Sequence, residues 1–137
     1  MNLETLKGEL ARDEGMRFIP YRDTVGKLTI GVGHNLDDVP ISYAAAMQIL
    51  EDDIVRAMGE LNRVAPFWSS LDDVRQRVLT NMVFNLGGDG LAKFVKMLAA
   101  AKEGDFDRAS DEMADSKWAQ QVGARAVRLI TMMRTGQ

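Results

Sequence analysis

Residues 13–34 read Asp13-Glu14-Gly15-Met16-Arg17-Phe18-Ile19-Pro20-Tyr21-Arg22-Asp23-Thr24-Val25-Gly26-Lys27-Leu28-Thr29-Ile30-Gly31-Val32-Gly33-His34. Within them helical patterning gives way to strand-like patterning, and a carboxylate stands on each side of the change. Upstream, Leu3, Leu6 and Leu10 are spaced for one face of a helix over residues 3–14, with Asn2 placed to cap it. Gly15 supplies the residue type with which helices commonly end. Glu14 therefore falls on the last turn, at the negative end of the helix dipole and beside Asp13, two features that disfavour a charged carboxylate. A carboxylic acid that keeps its proton near neutral pH is what a general acid requires. On these residues alone, a solvated terminal Glu is the competing reading.

Asp23 reads differently. Phe18 to Arg22 is aromatic and branched, with Pro20 hinting at an edge strand, and Leu28 to Val32 alternates. Between them Asp23-Thr24-Val25-Gly26 fits a type I turn, Asp first and Gly fourth. An Asp that only supports this turn is as good a local reading as a catalytic one. In the second strand Leu28, Ile30 and Val32 point to one face, and Thr29, Gly31 and Gly33 to the other. Two bare glycines suggest a close approach to the backbone, as by a sugar chain, or else a bulge. A hairpin closing over a loop of about five residues would set Asp23 across from Thr29, with room for a water between them.

These residues carry a resemblance. Glu14-Gly15-x-Arg17 followed by Tyr21-x-Asp23-x-x-Gly26-x-x-Thr29-Ile30-Gly31-x-Gly33-His34 resembles the catalytic signature of the phage T4-type lysozymes, endolysins or muramidases of glycoside hydrolase family 24. The likeness continues in Asn81-Met82-Val83-Phe84-Asn85-Leu86-Gly87, in Ser116-Lys117-Trp118 and in Arg125-Ala126-Val127-Arg128-Leu129-Ile130-Thr131, closing at Arg134-Thr135-Gly136. It covers nearly the whole chain, in order and spacing. The resemblance implies that Glu14 is the general acid and that Asp23 and Thr29 position the attacking water. It also sets Gly33, Phe84, Asn85 and Arg125 among the residues that meet the substrate, with Arg125 reaching back to the Glu14 carboxyl. An arginine there would favour the charged form of Glu14 and oppose the helix dipole. His34 is implied to form a structural pair with Asp53. The stretch between His34 and the next helix is much shorter than in the phage T4 enzyme, so contacts made there are not carried over.

Length and composition bound the rest. At 137 residues the chain suits a single domain with a real core. It has no cysteine and one histidine, which excludes a disulfide framework, a Cys-based metal site and a multi-histidine zinc site, and no cofactor or metal is expected. No apolar run approaches a membrane span, and the amino terminus, with Glu4 and Glu9, lacks the features of a secretory signal. A product that stays in the host bacterial cytoplasm until release to the wall or periplasm is expected, without membrane insertion, as a monomer. The implied helper is a holin-like permeabilising protein. The net charge of −3 is unevenly spread: residues 117–137 hold four Lys/Arg and no acid, whereas residues 1–60 hold 6 against 11. That basic end could face acidic parts of the chain, the substrate's carboxylates, or water. Nothing resembles a nucleic-acid footprint. Gly31-x-Gly33 is followed by Leu36 rather than a third glycine and opens no helix, which removes a dinucleotide reading.

Asn35 to Pro40 reads as a polar link and Ser42 as the cap of a helix from Tyr43 to Leu61, with Met47, Leu50, Ile54 and Met58 as its apolar stripe. Pro66 breaks the chain, and Ser70-x-x-Asp73 makes a capping signal for a helix carrying Leu71, Val74, Val78, Met82 and Asn85 to a stop at Gly87-Gly88. Asp89 and Asp105 restart it, the latter helix running through Phe106, Ala109 and Met113 toward Trp118. The last helix spans Gly123 to Arg134 with Ala126, Leu129, Ile130 and Met133 inward. Seven of nine methionines, from Met47 onward, read as core filler.

The expected fold is α+β and mostly helical, lysozyme-like: one domain over 1–137 with a small antiparallel β lobe and connecting helix at 13–60. The helical lobe covers 61–137, with helix 1–12 packed on it and a cleft between the lobes. The expected reaction is hydrolysis of the β-1,4 bond between N-acetylmuramic acid and N-acetylglucosamine of peptidoglycan, with inversion. The alternatives are a lytic transglycosylase, in which the substrate's own hydroxyl attacks, and a non-catalytic wall-binding module.

Overall fold

The computed structural model describes all residues, 1–137. In chain order its elements are α1 (Leu3–Glu14), β1 (Arg17–Arg22), β2 (Leu28–Gly31), β3 (His34–Asn35), α2 (Tyr43–Val64), a 3-10 turn (Pro66–Ser70), α3 (Asp73–Ala92), α4 (Val95–Lys102), α5 (Phe106–Ala114), α6 (Lys117–Val122) and α7 (Ala124–Thr135). They form two compact units, Met1–Gln48 and Ile49–Gln137, the division falling inside α2. No helix is long and apolar enough to cross a membrane.

The first unit holds α1 and an antiparallel sheet of order β1-β2-β3. Asn2 caps α1, its side-chain oxygen accepting from the Thr5 amide at 3.0 Å. The leucine stripe is not a core: Leu3 and Leu10 are exposed, and α1 buries no residue. With Lys, Glu and Arg around three leucines, capping and propensity make this helix, not burial. Arg17 pairs with Gly31 and Tyr21 with Thr29, so four steps on β1 match two on β2 and the strand bulges through Phe18-Ile19-Pro20. Proline, which cannot donate to a ladder, sits where no ladder bond is needed. Beyond β3, Asn35 Oδ1 accepts from the Asp37 and Asp38 amides, and Asp37 Oδ2 accepts from the Leu28 amide at 2.8 Å. The polar link after the sheet is thereby tied to the start of β2.

The second unit has the apolar core. Leu61, Val78, Leu79, Met82, Leu91, Met97, Met113 and Met133 are essentially inaccessible to solvent, so four of the late methionines are filler in fact. On α2 the buried positions are Ala57 and Leu61. The expected stripe is displaced from the core: Leu50, Ile54 and Met58 instead form one wall of an open groove of about 840 Å³. Spacing identified an apolar face on α2 but could not say that small Ala57, by permitting close approach, would mark the packed one.

Caps and kinks differ from expectation in detail. Asp72, not Ser70, caps α3, accepting from the Arg75 amide, while the Ser70 hydroxyl donates to the Phe67 carbonyl. The stop at Gly87 is a kink within α3, with φ +74. A Cβ at the next residue, Gly88, would collide with the Glu60 carboxylate and the Arg63 guanidinium, which explains the second glycine. The α5 helix ends at Ala114, and Trp118 belongs to a separate helix capped by Ser116. Arg75 closes the unit: its Cζ lies 3.6 Å from the Phe106 ring centroid, and it donates to the Met133 and Arg134 carbonyls at the end of α7. A cation placed on terminal helix carbonyls satisfies groups that lack partners within the helix. The basic end is therefore partly answered within its own unit, Arg134 also pairing with Asp107 and Asp111.

Burial alone would raise the Asp72 carboxyl, but the Arg75 amide and guanidinium outweigh it and hold it below the usual carboxylate range. A depressed folded value means that this stabilisation is present above the unfolded value of about 3.9 and is lost as pH falls through the folded value. Asp72→Asn, which keeps the cap, should cost about 0.5 kcal/mol at pH 7 after allowance for solvent screening. That difference should close in acid, whereas Asp72→Ala should cost about 1 kcal/mol more at neutral pH. Urea denaturation across pH checks both, and identical wild-type and Asn curves at pH 7 would remove the ion pair from the account. Leu79→Ala, in a fully enclosed position, should cost about 2–5 kcal/mol in the same measurement.

Candidate active site

Glu14 is the last residue of α1. The helix stops at Gly15, whose φ of +76 takes the chain out of the helical path while its amide donates to the Ala11 carbonyl at 3.0 Å. Glu14 is solvent-exposed, and its side chain lies along the turn between β2 and β3. The position that a Cβ of Gly33 would occupy is 3.4 Å from Glu14 Oε2 and 3.7 Å from its Cδ and Cγ.

Asp23 closes the five-residue loop between β1 and β2. Its Oδ1 accepts from the Val25 amide at 2.9 Å and the Lys27 amide at 2.8 Å, and its carbonyl accepts from Gly26 at 3.0 Å, the bond of the expected turn. Both readings of this residue therefore have a place: Oδ1 supports the turn, and Oδ2 is left to accept a further hydrogen. Thr29 is the one buried side chain of its unit, 3% exposed. Its hydroxyl donates to the Lys27 carbonyl at 2.9 Å, which commits the proton and leaves oxygen lone pairs to accept. Register corrects one expectation. Thr29 is opposite Tyr21, and the Asp23 amide bonds the Lys27 carbonyl, so Asp23 and Thr29 are diagonal neighbours on one face rather than directly opposed. The bulge lies before Tyr21 and leaves this part of the ladder regular.

The first unit thus brings an exposed carboxyl at a helix end, a half-buried carboxylate and a buried hydroxyl onto one α1–hairpin substructure. Residues 11–134 match the family model described as Phage lysozyme. The chain belongs to the phage lysozyme family. It is 28% identical to the probable T4-type lysozyme 2 of Dictyostelium discoideum, across 98% of this chain and 96% of the relative. The SAR-endolysin of Escherichia phage Mu is 29% identical over 81% of this chain and 65% of its own length. The pre-baseplate central spike protein Gp5 of Enterobacteria phage T4 is 32% identical over 93% of this chain, which spans only 27% of that protein. The fold is accordingly the lysozyme-like α+β fold, and the family role is that of a lysozyme or endolysin, a glycosidase.

Other positions singled out by the family signature have identifiable surroundings. His34 Nε2 lies 3.1 Å from the Val39 carbonyl; since a carbonyl only accepts, Nε2 carries a proton, and this bond ties β3 to the following link. Asp53 accepts from Arg56 one turn along α2. In the second unit, Arg125 donates to the side-chain oxygen and the carbonyl of Asn81, at 2.9 and 3.2 Å. Arg125, Asn81 and Phe84 all line the 840 Å³ groove. Asn85 Oδ1 accepts from the Trp118 indole at 2.8 Å, leaving the amide NH₂ to donate elsewhere. Trp118 in turn meets Phe94 edge to face, centroids 6.1 Å apart. No group of three or more His, Cys, Asp or Glu side chains is arranged to hold a metal ion.

Three residues of consequence have no signal in local sequence. The Lys27 carbonyl joins Asp23 to Thr29, but a backbone acceptor has no residue type to give it away. Asn81 and Trp118, which hold Arg125 and Asn85, are in the family signature but become partners only through tertiary contact.

The turn role of Asp23 can be separated from any chemistry. Asp23→Ala should speed hydrogen exchange at the Val25 and Lys27 amides by about tenfold, the loss of roughly one net hydrogen bond. Asp23→Asn retains the accepting oxygen and should leave their protection near wild type, as read by NMR.

Proposed function

We propose that this protein hydrolyses the β-1,4 bond between N-acetylmuramic acid and N-acetylglucosamine in bacterial peptidoglycan, with Glu14 as general acid and Asp23 and Thr29 as holders of the attacking water. The observation that carries the reading is the distribution of free valences on the hairpin. Asp23 spends one carboxylate oxygen on its turn and keeps the other, while the Thr29 hydroxyl donates its one hydrogen bond to the Lys27 carbonyl and has only lone pairs left to accept. A water lodged there would donate one hydrogen to Thr29 and the other to Asp23 Oδ2, with an oxygen lone pair left to attack the anomeric carbon. Glu14 gives its proton to the leaving oxygen, and Asp23 receives one from the water. An inverting course of this kind needs a carboxylate beside a water and no covalent sugar adduct.

Glu14→Gln keeps size and hydrogen-bonding atoms but cannot supply an acidic proton, and should reduce clearing of purified walls by at least about 10²-fold. Asp23→Asn should do the same while the turn stays intact. Full activity in either variant would overturn that residue's role. Mass spectrometry of the products separates hydrolysis from transglycosylase action, because water appears in the first and an anhydro sugar in the second. Proton NMR of the first-formed anomer reports inversion.

The likeness to a segment of a spike protein supports a second reading, a wall-binding module within a larger particle protein. Turnover assayed beside a pull-down on purified wall distinguishes it: binding without released sugar would favour the module. Delivery by a holin-like protein and host lysis belong to the first reading. Lysis of expressing cells should then wait for permeabilisation of the inner membrane, and spontaneous lysis on expression alone would remove that partner.

A further inference from the structure

The Asp23 turn is closed by its own bonds, but those bonds do not set how the turn stands on the strands that carry it. The polar link after β3 does so from outside. β1 ends at Arg22 and β2 begins at Leu28, and the two residues pair across the base of the loop. One oxygen of Asp37 reaches both: Oδ2 accepts from the Leu28 amide at 2.8 Å and from the Arg22 guanidinium at 3.4 Å. The same guanidinium nitrogen donates to the Gly26 carbonyl at 3.2 Å, at the far end of the turn. Leu28 shows why a side chain is needed there. Its carbonyl accepts from the Leu36 amide at 2.7 Å, one half of an antiparallel pair, but its amide ends on Asp37 where a continuing strand would offer the Leu36 carbonyl. Asn35 orients Asp37 for this, its Oδ1 accepting from the Asp37 amide at 3.0 Å.

We infer that Asp37 is a positioning residue for the water-holding carboxylate: by bracing Arg22 and Leu28 it fixes the angle at which the turn presents Asp23 Oδ2 beside Thr29. The inference rests on Asp23 and Thr29 holding the attacking water, as proposed above. Asp23 directly follows Arg22, and Thr29 directly follows Leu28, so each water holder is one residue from a braced position. Removing the brace leaves the internal bonds of the Asp23 turn in place but lets the turn swing on its strands. A water held by one misdirected partner attacks less well, so the loss falls on the chemical step rather than on substrate binding.

Kinetics on soluble uncrosslinked peptidoglycan strands test this through a double-mutant cycle. Asp37→Ala should lower kcat about tenfold with KM within about twofold, as a misplaced reacting group requires. It should also speed hydrogen exchange at the Leu28 amide by about tenfold. Asp37→Asn keeps an oxygen for that amide and should recover most of both. In an Asp23→Asn background, where no base remains to be aimed, Asp37→Ala should cost less than about twofold in kcat while still lowering Tm as much as it does alone. A residue that only stabilised the fold would cost the same kcat in both backgrounds. Should Asp37→Ala fail to fold, Arg22→Met removes the guanidinium arm alone, and its fall in kcat should likewise vanish in Asp23→Asn. An equal kcat cost in the two backgrounds, a loss confined to KM, or unchanged exchange at Leu28 in Asp37→Ala would overturn the inference while leaving Asp23 as a water holder. Full activity in Asp23→Asn alone would instead remove the reading on which it rests.

Discussion

Two backbone amides, those of Val25 and Lys27, end on one oxygen of Asp23, and the geometry of the hairpin depends on that. The bonds close the five-residue loop and draw the Asp23 amide onto the Lys27 carbonyl. That carbonyl also accepts the hydrogen bond of the Thr29 hydroxyl. A single residue, Lys27, thus links the carboxylate, through its amide, to the buried hydroxyl, through its carbonyl, and sets which lone pairs of each remain. Because buried or half-buried polar groups are costly when unpaired, this pattern specifies orientation as well as stability.

The same economy of polar contacts recurs in the second unit, where it organises helix ends. Arg75 lies on the Phe106 ring and reaches the terminal carbonyls of α7, and a Cβ on Gly136 would stand 2.9 Å from its guanidinium. Arg63 joins Glu60 and Asp89 beside the Gly87 kink. These contacts sit at the points where helices stop, which is where backbone groups lack partners within the helix. The leucine, valine and methionine core supplies the apolar burial between them.

The contrast between the two units explains why the sheet-bearing unit depends on hydrogen bonds. Its sole buried side chain is a threonine, so apolar burial does little to hold α1 or the hairpin in shape. Capping by Asn2, the Asp23 turn, the Asn35 and Asp37 contacts and glycines at positive φ do that work instead. An open, polar substructure suits the proposed site, which would have to admit a hydrated saccharide, and it gives up the apolar core that would close it.

Local chemistry alone determined a good deal: the caps at Asn2 and Ser42, the helix stop at Gly15, the Asp23–Gly26 turn, the two-strand hairpin and the break at Gly87 each follow from residue types acting on neighbours a few positions away. The ordered signature running from Glu14 to Gly136 identified the family and its candidate carboxylates. Tertiary structure alone decided which apolar face of α2 is core and which lines a groove, and that Thr29 stands opposite Tyr21. It also decided the partners of Arg125 and Asn85. The reason is physical. Periodicity and turn chemistry act on near neighbours in the chain, whereas register, burial and the choice among donors depend on which segments the fold brings together, and residue type alone carries little information on that.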